Sequence, residues 1–325
     1  MADVVSLSAD SVGLAEFGLG LAEEGGTALP TCLVLGNFDG VHVGHQAILA
    51  RARVTALRLG VALTAITFEP HPRTVLDPGL DFRLLSTFDL RRRLLAEHGV
   101  DRLWVMPFNE RIRQMTPEQF MGRLLERLQI QVMVVGPSFS IGKGAEGRLE
   151  FLTGYAAGTG FAVEVVAPLN WQGEAVSSTA VRQQLAEGDL EAVRGMLGRP
   201  LQVLGEVVHG EGMGRRLGFP TANIQLSGSQ ALPADGVYVM ELSTDSGVTL
   251  GAVGSIGMRP HFQGQRRVFE VHCLEDPGDL YGQLALASVL AHLRPQETFV
   301  TDMALVERMG RDAEAAAAYL ASSPP

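Results

Sequence analysis

Apolar and polar positions change rhythm halfway along this chain. In the first half, short apolar runs alternate with stretches of helical spacing. The runs are TCLVLG (31–36), VALTAITF (61–68), RLWVMPF (102–108), QVMVVG (131–136) and AVEVVAPL (162–169), all of strand length. Residues 44–59 carry helical spacing, Ser86 starts a helical pattern lasting to Glu97, and Thr116-Pro117 supplies an N-cap with proline at the first helical position. Strands separated by helices predict a parallel sheet with helices on both faces, its ligand site at the carboxyl ends of the strands.

Beyond about residue 185 the pattern is different. GDLEAVRGMLGRP (188–200) reads as a short helix running into a linker. LQVLGEVVHG, DGVYVMEL, VTLGAVGSI, RRVFEVHCLE and LYGQLALASVL follow as short strands divided by Gly, Pro and Asp, the spacing of a small antiparallel barrel. An alanine-rich helix, roughly 301–321, closes this half. The expected domains are an N-terminal extension (1–30), an α/β domain (31–187) and a barrel domain (188–325).

Composition narrows the class. The chain has 325 residues, 46% of them hydrophobic, room for two cores. Its net charge of −10 argues against nonspecific nucleic-acid binding and against anionic membranes. The two cysteines, Cys32 and Cys273, sit in different halves, which excludes a disulfide framework and fits a reducing cytoplasm. No signal peptide is read at the N-terminus, and no apolar run approaches the ~20 residues that span a bilayer.

Chemistry concentrates at a few turns. After the first strand, GNFDGVHVGH places Gly36, Asn37, Phe38, Asp39, His42, Gly44 and His45 on a turn that opens a helix. A helix N-terminus accepts anions, and the imidazoles can donate hydrogen bonds to phosphate oxygens; a glycine turn with two surface histidines is the plainer alternative. In VSSTAVRQQL (176–185), Ser177, Ser178 and Thr179 stand at a helix start with Arg182 one turn on, a second phosphate grip or a simple cap. VVHGEGMGRRLGFPTANI (207–224) brings Gly210, Gly212, Gly214 and Gly218 before Pro220, Thr221 and Asn223. Backbone N–H groups there can approach phosphate, and a hydroxyl with an amide oxygen suits a hard cation; a plain hairpin is the alternative. In VFEVHCL (268–274), strand alternation separates Val268, Glu270 and His272 from Phe269, Val271 and Cys273. Glu270 is then either a general base or a solvated strand carboxylate.

Taken together, GNFDGVHVGH, FEPHP (68–72) and SSTAVR resemble the adenylyltransferase module of bacterial bifunctional riboflavin kinase/FAD synthetases, and the glycine loop with GFPTAN resembles their kinase signature. The resemblance spans roughly residues 31–320. It implies a Rossmann-like nucleotidyltransferase domain of the HxGH type, followed by a small antiparallel β-barrel kinase domain with a C-terminal helix. It further implies that His42, His45, Ser177–Thr179 and Arg182 hold ATP phosphates while FMN is adenylylated to FAD. In the kinase half, Thr221 and Asn223 would bind Mg²⁺ with ATP, and Glu270 would serve as base for riboflavin phosphorylation. GDLYG (278–282) and Arg294 match segments near the flavin. Ser138 and Ser140 depart from the family's usual Asp/Asn and Arg/Thr; Ser255 and His261 replace its Asn and Thr. The alternatives are therefore a kinase with a weakened adenylyltransferase half, or a non-catalytic flavin-binding regulator. Expected partners are ATP, riboflavin and FMN, without nucleic acid or membrane, and the expected assembly is a monomer or weak homo-oligomer.

Overall fold

Leu63 to Phe68 are buried without interruption, as a strand covered on both faces must be. That strand is β2 (Ala62–Glu69), one of five that form a parallel sheet with β1 (Leu29–Leu35), β3 (Arg102–Pro107), β4 (Leu128–Val135) and β5 (Ala162–Val165). The strand order is β3-β2-β1-β4-β5, so the order reverses between β1 and β4, and the crevice of such a sheet opens there. Each of the five strands overlaps one of the apolar runs of the sequence, although β5 ends at Val165, four residues short of its run. The structure, a computed structural model, describes residues 29–210, 213–226, 229–244, 247–258 and 267–322; the expected extension up to residue 28, Gly212 and His261 lie outside the described residues.

Helices α1 (Val43–Leu59), α2 (Pro72–Leu76), α3 (Phe88–Glu97), α4 (Pro117–Leu125) and α5 (Leu149–Thr159) connect the strands. α4 starts on a full capping box, Thr116 with Gln119, and has proline in its first turn. α3 begins at Phe88, two residues later than its helical pattern suggested. Leu33, Ile66, Trp104, Phe120, Met133 and Leu152 share one core around the sheet, each contributing about 1.5–3 kcal/mol by burial.

The second compact unit comprises Ser177 onward together with the short segment Arg83–Thr87, which leaves the first unit after Phe82 and rejoins it at Phe88. It begins with α6 (Ser178–Glu187) and α7 (Leu190–Leu197). Six strands then close an antiparallel barrel: β6 (Leu201–Val208), β7 (Ala222–Leu226), β8 (Gly236–Thr244), β9 (Thr249–Met258), β10 (Arg267–Cys273) and β11 (Leu284–Arg294), ordered β6-β7-β10-β9-β8-β11. Closure removes sheet edges that would otherwise pair with another chain. Val203, Val207, Met240, Ile256, Phe269 and Val271 fill the interior. α8 (Asp302–Ser322) is tied to β11 by a buried bidentate pair, Arg294 to Asp312, at 2.7–3.1 Å. The Arg83–Thr87 segment is pinned beside the barrel by Leu84 N–H to Ser229 O (2.8 Å) and Ala231 N–H to Leu84 O (2.7 Å).

Candidate active sites

In the first unit, β1 delivers the chain to the switch point of the sheet and the loop Gly36–His42 turns it into α1. The turn is tight enough to force Phe38 to φ 49° and Val41 to φ 40°, a region that a β-branched residue rarely enters. Phe38 and Asp39 are buried at 2% and 1% exposure. The Gly36 N–H donates to Ile66 O (3.1 Å), and the Asn37 carbonyl accepts from the Thr67 hydroxyl (3.2 Å) and the Arg91 guanidinium (3.3 Å).

His42 is the N-cap of α1, its Nδ1 accepting from the His45 N–H at 3.4 Å. That bond leaves the proton on Nε2 of a neutral His42. The two imidazoles stack at 3.7 Å and 18°, and Phe38 meets His45 edge-on at 5.3 Å. A Cβ at Gly44 would come within 3.1 Å of the His42 ring and 3.8 Å of the Val176 carbonyl, so this position leaves room for little besides glycine.

Burial holds the His45 imidazole well below its usual 6.5, and the neighbouring His42 adds to the shift. Its Nδ1 is buried without a hydrogen-bond partner. A neutral His45 beside a helix N-terminus, with His42 stacked on it, suits polarising phosphate oxygens rather than abstracting protons. A pH dependence follows from the depressed folded-state value. As pH falls through about 6.5 the unfolded chain takes up a proton that folded His45 refuses, so acid destabilises the fold and pH above that range has no effect through this group. Urea midpoints measured at pH 7.5 and 5.5 should fall more steeply for the wild type than for His45→Gln. Equal slopes would show that His45 titrates normally.

In the second unit, Ser177 caps α6 by accepting from the Ala180 N–H at 3.1 Å. Its hydroxyl proton stays available, and Ser177 and Thr179 are exposed. Arg182 donates from Nη1 to the Ser178 carbonyl (3.0 Å) and from Nε to the Arg83 carbonyl (2.7 Å). The arginine of this motif thus also fastens the inserted segment. In the first unit, Ser138 is exposed just beyond the end of β4.

The barrel supplies the other site through strand register. Asn223 on β7 pairs with Glu270 on β10, and Glu270 pairs on its other side with Ser255 on β9. Directly opposed residues share a face, so amide, carboxylate and hydroxyl stand abreast, all half-buried. Phe269, Val271 and Cys273 turn inward, as alternation predicted. Ser255 accepts from the Gln296 amide at 3.0 Å, and the His272 Nδ1–H donates to the Pro220 carbonyl at 2.9 Å.

Two glycines of the loop come close to Thr221 and Asn223. A Cβ at Gly210 would sit 2.1 Å from the Asn223 amide nitrogen, and one at Gly214 would sit 2.3 Å from the Phe219 carbonyl and 3.1 Å from the Thr221 hydroxyl. Only glycine allows so close an approach to Thr221 and Asn223. Gly218 turns the chain at φ 86° before Pro220. Among the described residues no cluster of three His, Cys, Asp or Glu side chains could hold a metal. A cation at Thr221 and Asn223 would need phosphate oxygens and water to complete its shell, which is how Mg²⁺ usually binds with nucleotides.

Tyr281 of GDLYG stacks on His209 at 3.7 Å, immediately before Gly210. The sequence had marked the turn but not its partner. The Arg294 guanidinium is occupied by Asp312 and by the Pro295 carbonyl, an anchoring set that no sequence pattern announced.

A family model described as FAD synthetase matches residues 27–180, and one described as riboflavin kinase matches residues 197–320. The bifunctional riboflavin kinase/FMN adenylyltransferase of Pseudomonas fluorescens is 38% identical over 293 residues, covering 89% of this chain and 93% of its own. That of Escherichia coli K12 is 33% identical over 296 residues, covering 90% and 94%. A crystal structure of a macrolide-efflux protein from Streptococcus pneumoniae superposes with a TM-score of 0.80 at 29% identity, over 90% of this chain and 95% of that one. Among the described residues, no helix is long and apolar enough to cross a membrane. On the strength of the two family matches and of relatives that cover nearly the whole chain, this protein belongs to the family of bifunctional riboflavin kinase/FMN adenylyltransferases.

Proposed function

We infer that this chain makes FAD in two ATP-dependent steps, phosphorylating riboflavin to FMN in the barrel and adenylylating FMN in the α/β half. The observation that carries this reading is the presence of two separate glycine-containing turns, one before α1 and one before β7, each in the stretch that matches its own family. The adenylyltransferase half is assigned to residues 31–187 and the kinase half to 188–325, a boundary between the two family matches; by compactness the chain divides at Val176/Ser177.

In the kinase half, Glu270 takes the proton of the ribityl 5′-hydroxyl as its oxygen attacks the γ-phosphorus, and the bond to the β,γ-bridging oxygen breaks, releasing ADP. Thr221 and Asn223 would hold Mg²⁺ together with ATP, and the ion would neutralise charge on the phosphates. The Gly210, Gly212, Gly214 and Gly218 loop, with Pro220, lets backbone N–H groups come close to them.

In the other half the FMN phosphate is already anionic, so adenylyl transfer needs no base. An FMN phosphate oxygen attacks the α-phosphorus of ATP, and the α,β-bridging oxygen leaves with pyrophosphate. His42, His45 and the α1 N-terminus donate to the charge that accumulates there. The loop Gly36–Asp39 and Gly44 are proposed to give room for it, and Ser138 is proposed as an FMN contact. Ser177, Ser178, Thr179 and Arg182 are proposed as further phosphate contacts, and Arg294 as a flavin-side residue through its anchoring of α8 to β11. The working form is taken as a monomer or weak homo-oligomer in the cytoplasm. Burial pushes both thiols, Cys32 and Cys273, up to about 11, which suits a chain without disulfides.

Purified protein given riboflavin, ATP and Mg²⁺ should yield FMN and then FAD on chromatography, and excess EDTA should stop both steps. FMN without FAD would mean an inactive adenylyltransferase half. Neither product would mean a flavin-binding regulator.

A further inference from the structure

The side chain of Arg91 on α3 is 1% exposed, among the largest fully buried side chains of the chain. A buried guanidinium is costly unless its surroundings use it. Here one cation reaches three acceptors at the carboxyl ends of two neighbouring strands. Nη1 donates to the Asn37 carbonyl (3.3 Å), and Nη2 to the Phe68 carbonyl (3.3 Å) and the Glu69 carboxylate (2.5 Å). Its Nε is buried with no hydrogen-bond partner, and Phe88 lies 5.6 Å from the guanidinium carbon. A hydrocarbon side chain would fill the space without burying a charge or stranding a donor. The arrangement therefore serves position rather than stability.

What it positions is the turn after β1. Asn37 precedes Phe38 and Val41, whose φ values of 49° and 40° are strained for residues other than glycine. Such a conformation persists only where its surroundings over-determine it. The Asn37 carbonyl is held from two directions, by the Thr67 hydroxyl and by Arg91. The same guanidinium fixes Glu69, whose side chain is 37% exposed and begins the EPHP turn.

We propose that Arg91 is a positioning residue for adenylyl transfer, clamping the ends of β1 and β2 so that Phe38, His42 and His45 keep their places. The proposal rests on the adenylyltransferase reading of this half. Arg91 touches neither the nucleotide nor the flavin in this role; it acts through the Asn37 carbonyl and the Glu69 carboxylate.

The full-length chain carrying Arg91→Met should convert FMN to FAD with kcat lowered about 10- to 100-fold, the scale of a misplaced catalytic group. KM for ATP should change far less, and riboflavin phosphorylation in the same preparation should stay within about twofold of wild type. Guanidinium ion at non-denaturing concentration should restore part of the lost kcat. Arg91→Lys, which keeps the charge but not the fork, should fall between, and it serves as the test variant if the methionine variant does not fold. A folded variant with wild-type adenylylation kinetics would overturn the proposal. So would a parallel loss of both activities, or a loss that guanidinium and lysine leave unrelieved. If the wild type itself made no FAD, the adenylyltransferase reading would fail instead.

Discussion

Glu270→Gln in the full-length chain is expected to abolish FMN formation from riboflavin while leaving FMN-to-FAD conversion unchanged. The substitution preserves shape and hydrogen-bonding reach but removes the only proton acceptor in the row formed by Asn223, Glu270 and Ser255. General-base assistance is worth about 10²–10⁴-fold, so kcat should drop by that factor. KM for riboflavin and ATP should move little, since nothing assigned to substrate binding is deleted. Glu270 is half-buried on the outer face of β10, so the amide does not disturb the barrel interior and Tm should hold. The assay is chromatography of two parallel reactions, one begun from riboflavin and one from FMN. Residual phosphorylation above about a tenth of wild type would remove Glu270 from the base role. Loss of both reactions in a folded protein would remove the division into two sites.

The elements that position this carboxylate were legible for a simple reason. Period-two alternation in VFEVHCL fixes which side chains face out, and the burial of β10 follows it residue by residue. The parallel sheet was equally legible, because strands buried on both faces appear as unbroken apolar runs. β7 was not. Ala222–Leu226 contains a single fully buried position, Ile224, too little for a periodic signal, and its strand state comes from pairing with β6 and β10. The segment Arg83–Thr87 was likewise silent, since nothing local tells which unit will capture a short polar-apolar stretch.

Arg91 was readable in principle. Leu90, Arg91, Leu94 and Leu95 form the buried stripe of α3, and helical spacing alone puts that arginine, of the three in a row, on the core side. What spacing cannot give is the set of acceptors waiting there. The same holds for Arg294, whose partner Asp312 lies on another element and is chosen by docking of α8. Motifs thus marked the groups proposed to meet substrates, whereas the groups that hold those motifs in place emerged only from tertiary contacts.

The double substitution His42→Ala/His45→Ala should produce the opposite phenotype to Glu270→Gln: FAD formation lost and riboflavin phosphorylation retained. Both imidazoles belong to one preorganised surface, stacked at 3.7 Å with Phe38 against its edge. Removing one donor from such a site costs about 10²–10³-fold in kcat. The two losses should combine less than additively, because deleting either ring also frees the other from the stack. His42 caps α1 as well, so His42→Ala should lower stability by about 0.5–2 kcal/mol, and kinetics must be compared at a temperature where each variant is folded. His42→Asn separates the two roles. Asparagine caps a helix well but cannot place a donor where the imidazole Nε2–H projects, so Tm should recover while adenylylation stays low. Recovery of both would show that His42 acts only as a cap, and an anion-stabilising role would then fall to His45 and the helix terminus alone.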